Sequence, residues 1–261
     1  MYLLFFIISA LASVIGAICG IGGGVIIKPT LDIFQIASVS TISFLSGCTV
    51  LCMSLYSVGK VISSKESMID FKTGTPLSIG AVIGGILGKQ LFTYVKGMFS
   101  DPDVIGAVQA FCLLVITVGT LIYTLNKHKV KTVHIRNTLL CMTIGLSLGA
   151  TSSFLGIGGG PINLVVLYFF FSMETKTAAQ NSLYIILFSQ AASLISTILT
   201  KTVPEFELLA LILMSIGGIS GGIIGRLFNR RMSSRAVDNL FIALMITIIF
   251  ISGYNTWQYA F

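Results

Sequence analysis

Gly20-Ile21-Gly22-Gly23-Gly24, inside the charge-free run Met1–Ile27, returns unchanged 136 positions later as Gly156-Ile157-Gly158-Gly159-Gly160, inside the charge-free run Asn137–Met173. Consecutive glycines break a helix, because each gives up backbone entropy and offers no side chain to pack. At membrane depth such a break survives only where the freed backbone is buried in protein or lines a cavity. A matched pair, one in each half of a chain, is the sequence pointer to a transporter's binding site.

The surrounding composition makes this a membrane problem. Of 261 residues 55% are hydrophobic and 10% charged, and the mean hydropathy is +0.97. Further charge-free runs cover Ile33–Gly59, Val104–Asn126, Thr177–Thr200 and Asn239–Phe261. All of these exceed the roughly 20 residues that cross a hydrocarbon core. The chain therefore reads as an all-α polytopic membrane protein without a separate soluble domain. The apolar start Tyr2–Ala17 lacks a basic flank and its glycine-rich end recurs internally, so it reads as a span, not a cleaved signal. The net charge of +7 sits mainly in short loops and reads as membrane orientation; nucleic acid is not an expected partner. Cys19, Cys48, Cys52, Cys112 and Cys141 lie in apolar segments without metal-ligand spacing. No metal and no cofactor are expected.

The duplication extends past the glycines. Ser78-Ile79-Gly80 through Gly88-Lys89 matches Ser215-Ile216-Gly217 through Gly225-Arg226, at an offset of 137. Glycines recur every fourth residue in each block, which places them on one helical face for close helix packing. Each half then reads as five elements. The first half has helices near 2–19, 25–37, 40–60, 73–95 and 104–125, and the second near 137–155, 161–173, 176–200, 206–228 and 237–258. The second element of each half is too short to span a bilayer, so elements one and two read as a hairpin with a buried glycine turn. The expected organisation is a first transmembrane repeat over 1–126, a basic cytoplasmic loop over 127–136 and a second repeat over 137–261.

Loop charges decide the parity. Lys127, Lys129, Lys131 and Arg136 form one basic loop, and Arg226, Arg230, Arg231 and Arg235 another. The positive-inside rule puts both in the cytoplasm. Four simple crossings per half would separate them; a hairpin that returns to its own side keeps them together. That parity also places Lys60, Lys65 and Lys72 inside and both termini outside, and makes the halves inverted-topology repeats.

Chemistry is expected at the breaks. Unpaired N–H groups of Gly22, Gly23, Gly24, Gly158, Gly159 and Gly160, each set at the positive end of a following helix, favour an anion. Pro161 suits the first turn of a restarted helix. Asn163 and Asn181 are second-layer candidates, with substrate contact and interhelical bonding both open. Ser43, Ser46 and Ser182 read as interhelical hydrogen bonders. Lys28 carries an ionisable group at membrane depth, which favours function, but Asp32 four residues on allows an ion pair; both readings stand.

The paired glycine blocks, with Pro29 after the first, resemble the TauE/SafE sulfite-exporter family across essentially the whole chain. The resemblance implies a plasma-membrane permease for sulfite, thiosulfate or organosulfur anions such as sulfoacetate. Lys28 before the proline, and Val165 where the second copy would carry a proline, depart from the family pattern. The resulting expectation is a secondary transporter of a small anion, working by alternating access in the cell membrane, with a passive anion channel as the alternative. An intramembrane enzyme fits poorly: His128 and His134 lie in a loop, and there is neither an HExxH motif nor a pair of intramembrane carboxylates; a nucleotide-driven pump is disfavoured because the sequence has no P-loop. The residues assign no oligomeric state.

Overall fold

The computed structural model describes residues 2–64, 67–99 and 102–260, so Lys65 lies outside the described residues. The described chain is helical throughout: α1 (Tyr2–Cys19), α2 (Gly24–Ile33), α3 (Val39–Ile62), α4 (Phe71–Met98), α5 (Pro102–Asn126), α6 (Thr138–Leu155), α7 (Pro161–Phe171), α8 (Thr175–Leu199), α9 (Leu208–Arg231) and α10 (Ser234–Ala260). Eight of them are long and apolar enough to cross a membrane; α2 and α7 are the exceptions. The protein is a multi-pass membrane protein.

Local chemistry sets the helix ends. Ser38 Oγ accepts from the Thr41 N–H at the start of α3, Asp70 from Lys72 before α4, and Asn137 from Leu139 and Leu140 before α6. These caps satisfy amides that have no partner inside the helix. Pro161 occupies the first turn of α7, where its missing N–H costs nothing. The short helices end sooner than periodicity suggests. α2 stops at Ile33 instead of 37 because Gln35 turns left-handed at φ 47°, and α7 stops at Phe171 instead of 173 because Ser172 does so at φ 53°.

Packing exchanges the two halves. α4 lies along α6 as α9 lies along α1, α4 touches α8 as α9 touches α3, and α5 touches α7 as α10 touches α2. The glycine ladders make the closest of these contacts. A Cβ added at Gly80, Gly84 or Gly88 would overlap the carbonyls of Met142, Leu146 and Ala150 on α6. On the other pair, Gly221 and Gly225 sit against the carbonyls of Ala10 and Val14. α3 and α8 are the most buried spans. α4, α5, α9 and α10 turn large apolar side chains outward, among them Leu91, Val115, Leu227 and Phe250. Such an exposed apolar surface suits lipid.

The loops collect at two ends of the bundle. At one, the Lys127 ammonium pairs with Asp238 at 2.7 Å, Arg226 donates to the Lys60 carbonyl, and Asp70 and Thr73 share a cavity with His134 and Arg136. At the other, Thr41 donates to the Glu205 carbonyl and Lys96 to Ser40. The 24-residue α3 connects them. Both short hairpins return to the end they start from. The amides of Val133 and Ile135, just before α6, donate to the carbonyls of Phe169 and Phe170 at the end of α7. Phe5 of α1 lines one cavity with Ile36 and Ala37, just after α2.

Candidate functional site

The two glycine turns meet backbone to backbone between the hairpin tips. A Cβ on Gly24 would overlap the Ile157 carbonyl oxygen, one on Gly159 would lie 2.9 Å from the Ile21 carbonyl oxygen, and one on Gly22 3.6 Å from that of Gly158. Gly20 and Gly22 adopt φ 77°, Gly156 φ 66°, Gly158 φ 65° and Gly159 φ 147°. These are left-handed conformations that only glycine adopts without strain. Residues 20–24 and 157–160 are all buried.

Neither α2 nor α7 receives a side-chain cap at its N-terminus. Among the described residues, the amide N–H groups of Gly22, Gly23, Gly158, Gly159 and Gly160 donate no hydrogen bond. Orphaned buried amides are rare and costly. Here five of them gather where two helix N-termini begin, and the positive ends of both dipoles add to their pull on an anion.

Unpartnered hydroxyls surround this point. Ser46 and Ser182, related by the 136-residue offset, are wholly buried, and neither Oγ has a partner. Ser13 and Ser43 are likewise buried and unpartnered; Ser13 faces Gly23, and Ser43 faces Gly156. The interhelical bonding expected of Ser43, Ser46 and Ser182 is therefore not what they do. Asn163, one turn into α7, is 1% exposed and its Oδ1 is unpartnered.

The other two sequence candidates are engaged. Asn181 Oδ1 accepts from the Asp70 N–H at 3.0 Å, while its Nδ2 donates to the carbonyls of Met68 and Thr177 at 3.1 and 2.8 Å. It latches the segment before α4, and both of its N–H donors are already engaged, which leaves none for an anion. The Lys28 ammonium pairs with Asp32 at 2.9 Å, both side chains being 4% exposed. Of the two readings for Lys28, the structure forms the ion pair, while the lysine stem passes beside Gly156. Lys28→Gln leaves Asp32 buried and unpaired, a loss of about 3–5 kcal/mol of stability. We expect the single variant to melt well below wild type in detergent. The double variant Lys28→Gln/Asp32→Asn should regain both melting temperature and transport. Recovered stability without transport would return Lys28 to the ligand set.

Two small cavities flank the turns. The first is lined by Ser43, Ser153, Gly156 and Gln190 toward the break and by Lys89, Phe92 and Thr197 farther along. The second is lined by Ala17, Ala179 and Leu183 and by Ser57, Arg226 and Asn229. Lys89, Ser153 and Gln190 were not picked out by sequence reading. Lys89 was visible there only as the partner of Arg226 in the repeat, and Gln190 only as an uncharged polar residue inside an apolar run.

A profile of the sulfite exporter TauE/SafE family matches residues 5–251. The chain belongs to the TauE/SafE family. It is 22% identical over 267 residues to a protein of Bacillus subtilis strain 168 named "Probable membrane transporter protein YunE", with 95% of each chain covered. It is 23% identical over 247 residues to a "Probable membrane transporter protein" of Xylella fastidiosa, with 91% of this chain and 90% of that one covered. No solved structure matches the chain. Family, relatives and the eight apolar helices together make this TauE/SafE protein a membrane transporter.

Proposed function

We propose that this TauE/SafE protein is a secondary transporter of a small anion, a sulfur oxyanion or organosulfonate such as sulfite, thiosulfate or sulfoacetate, that works by alternating access. The observation that carries the reading is the cluster of free amides at Gly22, Gly23, Gly158, Gly159 and Gly160 between two helix N-termini. Gly24 and Asn163 complete the proposed site, and Ser46 and Ser182 supply neutral hydroxyl donors beside it. Amides and hydroxyls solvate an oxyanion without holding it as a fixed cation would, which suits release on the far side. Lys28, neutralised by Asp32, keeps α2 in place beside the site.

The two halves are proposed to be inverted-topology repeats, with the α1–α2 hairpin dipping in from the outer face and α6–α7 from the cytoplasm. The basic loops gathered at one end support this orientation. Thiols introduced as Asn126→Cys and Ser234→Cys should both resist an impermeant thiol reagent in intact cells and both react after permeabilisation. Labelling of one alone in intact cells would end the inverted-repeat proposal.

The carrier reading is tested in proteoliposomes loaded in turn with sulfite, thiosulfate or sulfoacetate and given the labelled anion outside. A carrier accelerates uptake when the trans side is loaded, and the rate saturates. Uptake that neither saturates nor responds to loading would identify a passive channel instead.

A further inference from the structure

The two small cavities correspond to one another through the duplication. Lys89 of the first and Arg226 of the second are related by the 137-residue offset, as are Phe92 and Asn229, while Ser193 and Ser57 are related by 136. Each cavity runs beside a glycine ladder helix, α4 or α9, and against both central spans, α3 and α8. Their outer parts lie toward opposite ends of the bundle. Lys89 is two turns from Lys96, which bonds Ser40 at one end, and Arg226 donates to the Lys60 carbonyl at the basic end.

Each cavity also holds polar atoms in need of a partner. Ser43 and Ser153 in the first and Ser57 in the second are at least nine-tenths buried, and their hydroxyls have none. Lys89 is a cation within an apolar span and forms no salt bridge among the described residues; its ammonium instead lies 5.1 Å from the Phe92 ring centroid. An ionisable group so placed is held for a charged ligand more readily than for stability. A cation over a ring face stays in position without being neutralised.

We propose that these cavities are the outer and cytoplasmic vestibules of the central glycine site, and that Lys89 and Arg226 are the residues that draw a small anion into each. This rests on the carrier reading above. Each half of the duplication supplies one cation from the same helix position, so the anion meets a cation at the mouth of either cavity. The inner parts differ: Ser43 and Ser153 stand where the second cavity has Ala179 and Ala17. The outer vestibule therefore presents hydroxyls to the anion where the cytoplasmic one presents methyl groups.

Thiols introduced as Ser193→Cys and Ser57→Cys, treated with the anionic sulfonatoethyl and the cationic trimethylammonioethyl methanethiosulfonates, test this in oriented vesicles. Modification is read by mass spectrometry at the introduced residue, which leaves the five native cysteines in place. Ser193→Cys should react from the outer face and Ser57→Cys from the cytoplasmic face. Adding Lys89→Gln should lower the anionic-to-cationic rate ratio at Ser193→Cys about tenfold, the lower end of electrostatic steering in a charged cleft. Lys89→Arg should preserve it. Arg226→Gln should lower the ratio at Ser57→Cys less, since Arg230 also lines that cavity. Reaction of both thiols from one face, or a ratio unmoved by Lys89→Gln, would overturn the proposal. The readout needs no transport, so lost counterflow with this labelling pattern intact counts against the carrier and not the vestibules.

Discussion

Gly159→Val will abolish transport, and Gly24→Ala will do so nearly as completely. At Gly159 the backbone sits at φ 147°, where L side chains are strained, and an added Cβ would meet the Ile21 carbonyl oxygen at 2.9 Å and the Ile186 side chain. At Gly24 even one methyl overlaps the Ile157 carbonyl oxygen and forces the two turns apart. Either change moves donor amides that must converge on one small ligand. A displacement near 1 Å at such a site lowers rates by about a hundredfold. Gly253→Ala is the control, because nothing lies within 4 Å of its added Cβ. Anion counterflow in proteoliposomes measures all three, with size-exclusion profiles to show that the variants remain folded. Unimpaired counterflow in both break variants would remove the glycine turns from the mechanism.

The second large effect is on assembly. Gly84→Leu and Gly221→Leu each place a branched side chain where the carbonyl of Leu146 or Ala10 already sits. Helices at this distance cannot absorb the added volume, and the cost exceeds the ~1–3 kcal/mol of ordinary overpacking. Both variants should lose monodisperse protein after extraction, whereas Gly119→Leu, with open space around it, should extract like wild type. Wild-type yield and melting for both ladder variants would mean that these faces do not hold α4 to α6 and α9 to α1.

How far the chain could be read in advance follows from which interactions are local. Helix breaks, helix restarts and the i,i+4 pairing of Lys28 with Asp32 are decided within a few residues, so the spans and both glycine turns were visible in the sequence. The ends of α2 and α7 were overestimated because left-handed turns at Gln35 and Ser172 carry no glycine to announce them. Asn181 illustrates the opposite case. Its partners Met68 and Asp70 lie 113 and 111 residues away in the chain, and no local pattern reports such a latch. The serines were misread for a similar reason. A hydroxyl in an apolar helix usually finds a neighbouring carbonyl, but Ser46 and Ser182, like Ser57 and Ser78, are buried without one.

The central claim, that backbone amides of the two turns hold the anion, is tested most directly by nuclear magnetic resonance on protein labelled with [15N]glycine. Sulfite, thiosulfate and sulfoacetate are titrated in turn into the detergent-solubilised protein. A bound oxyanion should move the amide signals of Gly22, Gly23, Gly158, Gly159 and Gly160 downfield together, with one saturating dissociation constant, while Gly119 and Gly253 stay still. Saturable binding of any of these anions that leaves the five break amides unmoved would contradict the account.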